Sequence, residues 1–562
     1  MSAGGDLLLW LDAVPARNTT LGYTLLTATL GLAAWPLFRG EGRRRWWESG
    51  WLFAGAVLLT LCAFRWPIWF VNYELNPDES QLIAGARTLQ DFPVYWKYVD
   101  GTTHGPLEEY FLVLLGAFGL PMNFVTARFG ATLLQALTLL ALWGTFRRVA
   151  SEGAARLAIG PVFVFWSLVH WPEFTHYSTE LVPLALVAGG LWLLVEGLVA
   201  RPLADRLAPW WAAAGGMALG AVPFAKPQLV PLAFLVGAGA LGVLVARRRE
   251  PGMGRVAGAT VAGALLPSVI IAIFLTVFGL WGQFELAYLQ SNFGYVDAKK
   301  TGLVDMASDF FTLITHGQTF AWFILPTVAY ALWTGRDALR QSSPVQRALA
   351  GLGWVALAVG FYSVIAPGRM FAHYLHVFTL PAAFLAGLHV AVGLDCAAST
   401  RARIAVLAVF LGATAAPQVL RQATGYNVYA GNLATHRSAP PLPASAYLRA
   451  HALPTDRLAM WGWQSQVWVE TGLAQGTREA HTAYQLYEMP LRDFYRSRYL
   501  RDMQRRQPEW FVDAVGPADT AFQDRALHGH ETFPPLAAWV SERYLLAAEV
   551  GDVRIYRLKP AR

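Results

Sequence analysis

Asn76-Pro77-Asp78-Glu79-Ser80 places two adjacent carboxylates directly after a long apolar segment running from about Trp51 to Val71. A charge where a helix leaves a bilayer is costly and is usually retained for chemistry or ion handling. A carboxylate within hydrogen-bond reach of a hydroxyl can act as its general base. A nearby cation can stabilise negative charge that builds on a leaving group. The plainer reading is an acid pair that caps a helix or forms a turn after Pro77.

Other ionisable residues lie at the same kind of boundary. His104-Gly105-Pro106-Leu107 opens a short apolar stretch, and Glu173-Phe174-Thr175-His176-Tyr177-Ser178-Thr179-Glu180 fills a tight turn between two apolar segments. Lys226-Pro227-Gln228 forms another turn, and Arg369 with His373-Tyr374 a further one. Each has a bland alternative. Glu180 suits the first turn of a helix, where the dipole favours an acid; Lys226 can snorkel to the interface; Arg369 can anchor there. His176 and His373 can be satisfied polar residues. A metal held by Asp78, Glu79, His104 and His176 is conceivable, although no spacing such as His-Glu-x-x-His supports one.

What must position these residues is a membrane bundle. The 562-residue chain is 55% hydrophobic and 14% charged, whereas soluble domains average about a quarter charged. Apolar stretches long enough to cross a bilayer fall near 19–38, 49–71, 124–146, 155–171, 181–199, 208–224, 229–246, 256–279, 318–334, 348–366, 372–393 and 402–420. The net charge of +7 comes from clusters between alternate spans: Arg39 with Arg43 to Arg45, Arg147-Arg148, Arg201, Arg247 to Arg249, Arg336 to Arg347, and Arg401 with Arg403. Twelve spans with both chain ends outside put all six clusters in the cytoplasm, as the positive-inside rule requires. That pattern argues against nucleic acid as a partner. Leu107 to Leu120 is apolar but only 14 residues long, which suits an interfacial helix on the outer surface. Cys62 and Cys396 fall at opposite ends of the bilayer, so no disulfide is expected, and no cleaved signal peptide is read at the N-terminus.

The outer face then holds the loops 72–123 and 280–317, the turns at 172–180, Lys226 and 367–373, and everything after about Arg421. The expected organisation is a transmembrane catalytic module over 1–420, a linker over 421–443 around Pro440-Pro441-Leu442-Pro443, and an extracytoplasmic α/β domain over 444–562. Alternating runs at 458–463, 510–515 and 553–558 predict its strands. Trp461, Trp463 and Trp468 are candidates for stacking on sugar rings or for the core.

The order of these parts resembles the GT-C class of integral-membrane glycosyltransferases, nearest the branch of the protein O-mannosyltransferases and lipid A aminoarabinose transferases. The likeness rests on the acid pair after an early span, the x-Pro-Leu helix, Ala127-Arg128-Phe129 entering the next span, the acid-terminated turn, the outer lysine and the closing mixed domain. It implies transfer of a sugar from a polyprenyl-phosphate carrier to a glycan, lipid or protein acceptor, commonly with inversion, in what looks like a bacterial inner membrane. Asp78 matches the acid that serves as base or orients the acceptor, with Glu79 supporting it. Glu180 matches a second-loop acid that is often Asp. His104 stands where relatives often carry Lys before Pro-Pro-Leu, which shifts phosphate binding toward Lys226 and Arg369, with His373 and Tyr374 beside them. Glu173, His176, Tyr177 and Tyr295 are candidate substrate contacts. No cofactor is required, and a divalent metal stays open. A transporter or flippase for a lipid-linked substrate, or a non-catalytic relative of the fold, are the alternatives.

Overall fold

Apolar length decides most of the architecture. In the computed structural model, which describes residues 15–38, 46–297, 302–316, 320–396, 399–423 and 440–560, helices occupy all twelve apolar segments. Among the described residues nine helices are long and apolar enough to cross a membrane, from Arg17–Phe38 to Thr400–Leu420. The other three are shorter or apolar over only part of their length. The 155–171 segment divides into Glu152–Ala158 and Gly160–Leu168, because Pro161 lacks an N–H and crowds the preceding turn. The 208–224 segment is Ala208–Ala221 followed by a tight turn through Pro223, and Ala321–Gln341 is apolar only as far as Thr334. The Ala372–Asp395 span is buried from His373 to Leu394 and forms the centre of the bundle.

Among the described residues, the basic segments around 148, 201, 247 and 346 meet at one end. Arg148 pairs with Glu196 at 2.6 Å, Arg247 donates to the Arg201 carbonyl at 3.1 Å, and Gln346 donates to the Val149 carbonyl at 2.6 Å. The polar turns at 76–79, 172–180, 226 and 369–374 meet at the other. Leu107–Ala117 is an 11-residue helix on that second end. The 280–317 segment, expected as a loop, is largely helical over Trp281–Asp297 and Leu303–His316, with one wide turn at Phe284–Gln290. The side chain of Tyr295, residues Lys299 and Lys300, and most of the expected linker lie outside the described residues.

The C-terminal domain is a five-stranded mixed sheet: β1 Arg457–Trp461, β2 Ala474–Gln475, β3 Trp510–Asp513, β4 Tyr544–Val550 and β5 Val553–Leu558, in the order β2-β1-β3-β5-β4. β1 runs parallel to β2 and β3, whereas β5 is antiparallel to both neighbours. Gly551, at φ +60°, makes the tight β4–β5 hairpin turn, a conformation that favours glycine. Trp461 and Trp468 are fully buried in the domain's two cores. Trp463 is half-buried and stacks on His481, ring centres 4.4 Å apart.

The domain is clamped to the bundle. Arg498, fully buried, pairs with both Asp100 and Glu479, and Arg478 donates to the Trp96 carbonyl at 3.0 Å. The Pro77–Asp91 helix lies between the two bodies: Leu82, Ile83 and Ala86 face the bundle, while Ala84 joins the domain core. Thr88 accepts from the Gln475 N–H at 3.0 Å. The acid pair therefore sits on a helix held from both sides.

Candidate active site

Asn76 sets the entry of the Pro77–Asp91 helix. Its side chain accepts from the Asp78 N–H at 3.0 Å, and Pro77 occupies the first helical position, where a missing N–H costs nothing. Asp78 and Glu79 fill the first turn, where the helix dipole favours acids. Adjacent residues on a helix diverge by about 100°, and the two carboxylates separate accordingly. Glu79 is fully buried and bound by Arg128 through two hydrogen bonds of 2.9 and 2.7 Å, with a third from the Tyr177 N–H at 3.2 Å. Asp78 turns the other way, its side chain 31% exposed, with Oδ2 at 3.6 Å from Nε2 of His373.

His373 joins two turns. Its Nδ1 lies 3.1 Å from Oε2 of Glu173, whose carboxylate also accepts from the Asn76 amide at 3.3 Å. His176 packs edge-on against His373 at 6.1 Å. His376 reaches the Glu173 carbonyl at 3.1 Å and holds that turn in place. Burial acts to raise the Glu173 carboxyl, but the hydrogen bond and charge of His373, with the charge of His176, outweigh it and lower the pKa to about 2.

A second node lies beyond His373. Glu180, fully buried at the start of Leu181–Leu198, takes hydrogen bonds from Ser178 and Lys226, and Lys226 also reaches Thr179. Burial opposes the charge on Glu180, yet Lys226 and His373 hold its pKa down to about 2. The Lys226 ammonium stands 5.1 Å from the centre of the Tyr374 ring. Lys226 and Tyr374 line a cavity of about 350 Å³ whose wall is mostly apolar, including Leu289, Phe293, Tyr362 and Pro367. Arg369, on the turn after Pro367, places its guanidinium 6.0 Å from the Tyr487 ring of the C-terminal domain.

Three candidates are turned away from this centre. His104 is buried with Nε2 at 2.8 Å from Glu109. Tyr177 donates its hydroxyl to the Glu108 carbonyl at 2.8 Å and stacks on Phe111. Glu79 belongs to Arg128. The His104 loop still abuts the lysine turn, since the Gly105 N–H donates to the Ala225 carbonyl at 2.7 Å. A Cβ at position 105 would sit 2.2 Å from the Phe224 carbonyl oxygen, so glycine is required for this close approach.

Sequence reasoning passed over Glu108, Glu109, His376 and His481. Leu107–Ala117 reads as apolar only if the acids of its first turn are ignored, and both are buried. Both carboxylate oxygens of Glu108 are without a hydrogen-bond partner, and burial, with Glu109 adding to it, raises its pKa well above the usual carboxylate range. Two acids opening an interfacial helix were the available signal. His376 and His481 carried none, because their roles depend on neighbours distant in sequence.

The fold is that of the GT-C integral-membrane glycosyltransferases. No protein-family profile matches the chain, and no curated protein matches its sequence. Among solved structures it is similar to ArnT from Cupriavidus metallidurans bound to undecaprenyl phosphate, with a TM-score of 0.56 and 17% identity over 91% of this chain and 99% of that one. The apo state of the same protein gives 0.53 and 17%, covering 92% of this chain and 100% of that one. The arabinofuranosyltransferase AftD from Mycobacteria gives 0.50 at 14% identity over 93% of this chain and 40% of that one.

Proposed function

We propose that this integral membrane protein transfers a sugar from a polyprenyl-phosphate carrier to an acceptor hydroxyl at the extracytoplasmic face. The observation that carries the reading is a mostly apolar cavity lined by Lys226 and Tyr374, with His373, the neighbour of Tyr374 in the chain, 3.6 Å from the part-exposed Asp78. An isoprenoid tail needs apolar walls, its phosphate needs a cation at their end, and an acceptor hydroxyl needs a carboxylate that is not already neutralised. Solved proteins of the same fold include one bound to undecaprenyl phosphate, which supports that class of carrier.

In this reading Lys226, Tyr374 and Arg369 hold the donor phosphate, and Glu180 fixes the lysine. Asp78 takes the acceptor proton as the acceptor oxygen bonds to the anomeric carbon. The carbon–oxygen bond to phosphate breaks in the same displacement, the electron pair leaves with polyprenyl phosphate, and the anomeric configuration inverts. His373 and Glu173 orient Asp78. Glu79, Tyr177 and His104 are positioning residues that brace the Asp78 helix and the lysine turn. The basic end of the bundle faces the cytosol, so the site faces a bacterial periplasm or its equivalent.

Asp78→Asn tests the base. With a polyprenyl-phosphate sugar and the native acceptor in proteoliposomes, transfer falls by about two to four orders of magnitude, the usual contribution of general-base catalysis, while donor binding is retained. Unimpaired transfer by that variant removes Asp78 from the chemistry. Movement of the labelled lipid between leaflets without an acceptor would replace transfer with transport.

A further inference from the structure

Glu173, His176 and His373 each direct one ligand atom into a space where all three atoms lie within 4.8 Å of one another. His176 is fully buried, and its Nδ1 faces the Pro172 carbonyl at 2.9 Å. Nδ1 therefore carries the proton, and Nε2 presents its lone pair. That Nε2 is buried with no hydrogen-bond partner, unusual for an acceptor out of reach of water. Asp78 lies 3.6 Å from Nε2 of the same His373 ring.

We propose that Glu173, His176 and His373 bind one divalent first-row cation of the zinc class beside Asp78. Two imidazoles and a carboxylate suit zinc or a borderline neighbour rather than magnesium or calcium, which prefer all-oxygen sets. The carbonyl that fixes the His176 tautomer and the Asn76 amide on Glu173 are the outer contacts by which metal sites orient their ligands. A cation here ties the 172–180 turn to the 371–374 turn and the Asp78 helix. Its effect on the reaction rests on the glycosyl-transfer reading; its binding does not.

A second three-residue cluster provides a contrast. Asp513, His530 and Glu531 also converge, but Asp513 already accepts from Arg525 at 2.8 Å and lies 2.6 Å from Nδ1 of His530. A fixed guanidinium already supplies the positive charge, so this cluster needs no ion.

The full chain in lipid nanodiscs, stripped with chelator and dialysed against Zn²⁺, is expected to retain one equivalent by elemental analysis. Co²⁺ should give a visible ligand-field spectrum on the same unmutated protein, which requires no variant to fold. Glu173→Gln and His176→Ala each lower zinc affinity at least about tenfold, the scale of a lost ligand or supporting contact, and His530→Gln leaves it unchanged. The proposal fails if stripped wild-type protein takes up no zinc and shows no Co²⁺ spectrum, or if His530→Gln abolishes uptake while His176→Ala does not. Those results leave the Asp78→Asn test of transfer untouched, and a failure of that test leaves zinc uptake intact.

Discussion

Arg128 and Lys226 are both buried cations paired with a glutamate at the same end of the bundle, yet their surroundings differ. Arg128 makes five hydrogen bonds, two to Glu79 and one each to the Ile68, Val71 and Tyr73 carbonyls, which matches its five N–H groups. Its guanidinium also covers the Phe124 ring at 4.6 Å. Among the described residues the Lys226 ammonium contacts Glu180, Thr179 and the Tyr374 ring, and it borders a cavity. A saturated cation fixes chain geometry, whereas one beside open volume can still bind an anion. The same contrast separates Glu79 from Asp78 on a single turn of helix.

Breaking the saturated node should cost the most. Arg128→Ala strips Glu79 of its buried counter-charge and removes three donors to backbone carbonyls, and removing one side of a buried pair costs about 3–5 kcal/mol. The expected outcome is little monodisperse protein in detergent, or a large fall in thermal midpoint. Lys226→Gln should do the reverse: it still hydrogen-bonds Glu180, so the fold persists, but transfer drops by about a hundredfold to a thousandfold, as when a charge-stabilising donor is lost. Thermal melting and initial rates on the two variants decide this. If Lys226→Gln unfolds the protein as readily as Arg128→Ala, the distinction disappears.

The smallest effect is on acid stability. Burial lowers the pKa of His481 to about 4, so this group charges more readily unfolded. Its contribution is complete above the unfolded value near 6.5 and erodes as pH falls toward 4. Glu173, depressed to about 2, adds stability that is present above about 4.5 and is lost on further acidification. Both act in the same direction, because the unfolded chain binds more protons across each window. Thermal midpoints should decline below pH 6.5, and His481→Gln should flatten the pH 6.5–4 part of that decline.

Much of the fold was legible because a bilayer imposes length and polarity on every spanning segment. All twelve apolar runs carry helices, though three are too short or too interrupted to cross by length and composition. The alternating runs at 458–463, 510–515 and 553–558 became β1, β3 and β5, while the exposed, irregular β4 and the two-residue β2 left little periodic trace. The 280–317 segment read as loop because its polar residues masked helical spacing.

The candidate site was legible as a set of turns, not as a set of roles. Composition and spacing determined that Asp78, Glu173, Glu180, Lys226 and His373 stand at one boundary, since charged residues cannot sit within the apolar spans without partners. Tertiary structure decided which of them remain open to a ligand. Glu79 meets Arg128 across 49 residues, Lys226 meets Glu180 across 46, and His373 meets Glu173 across 200. Pairings over such separations depend on how helices pack, which no local pattern in a single chain encodes.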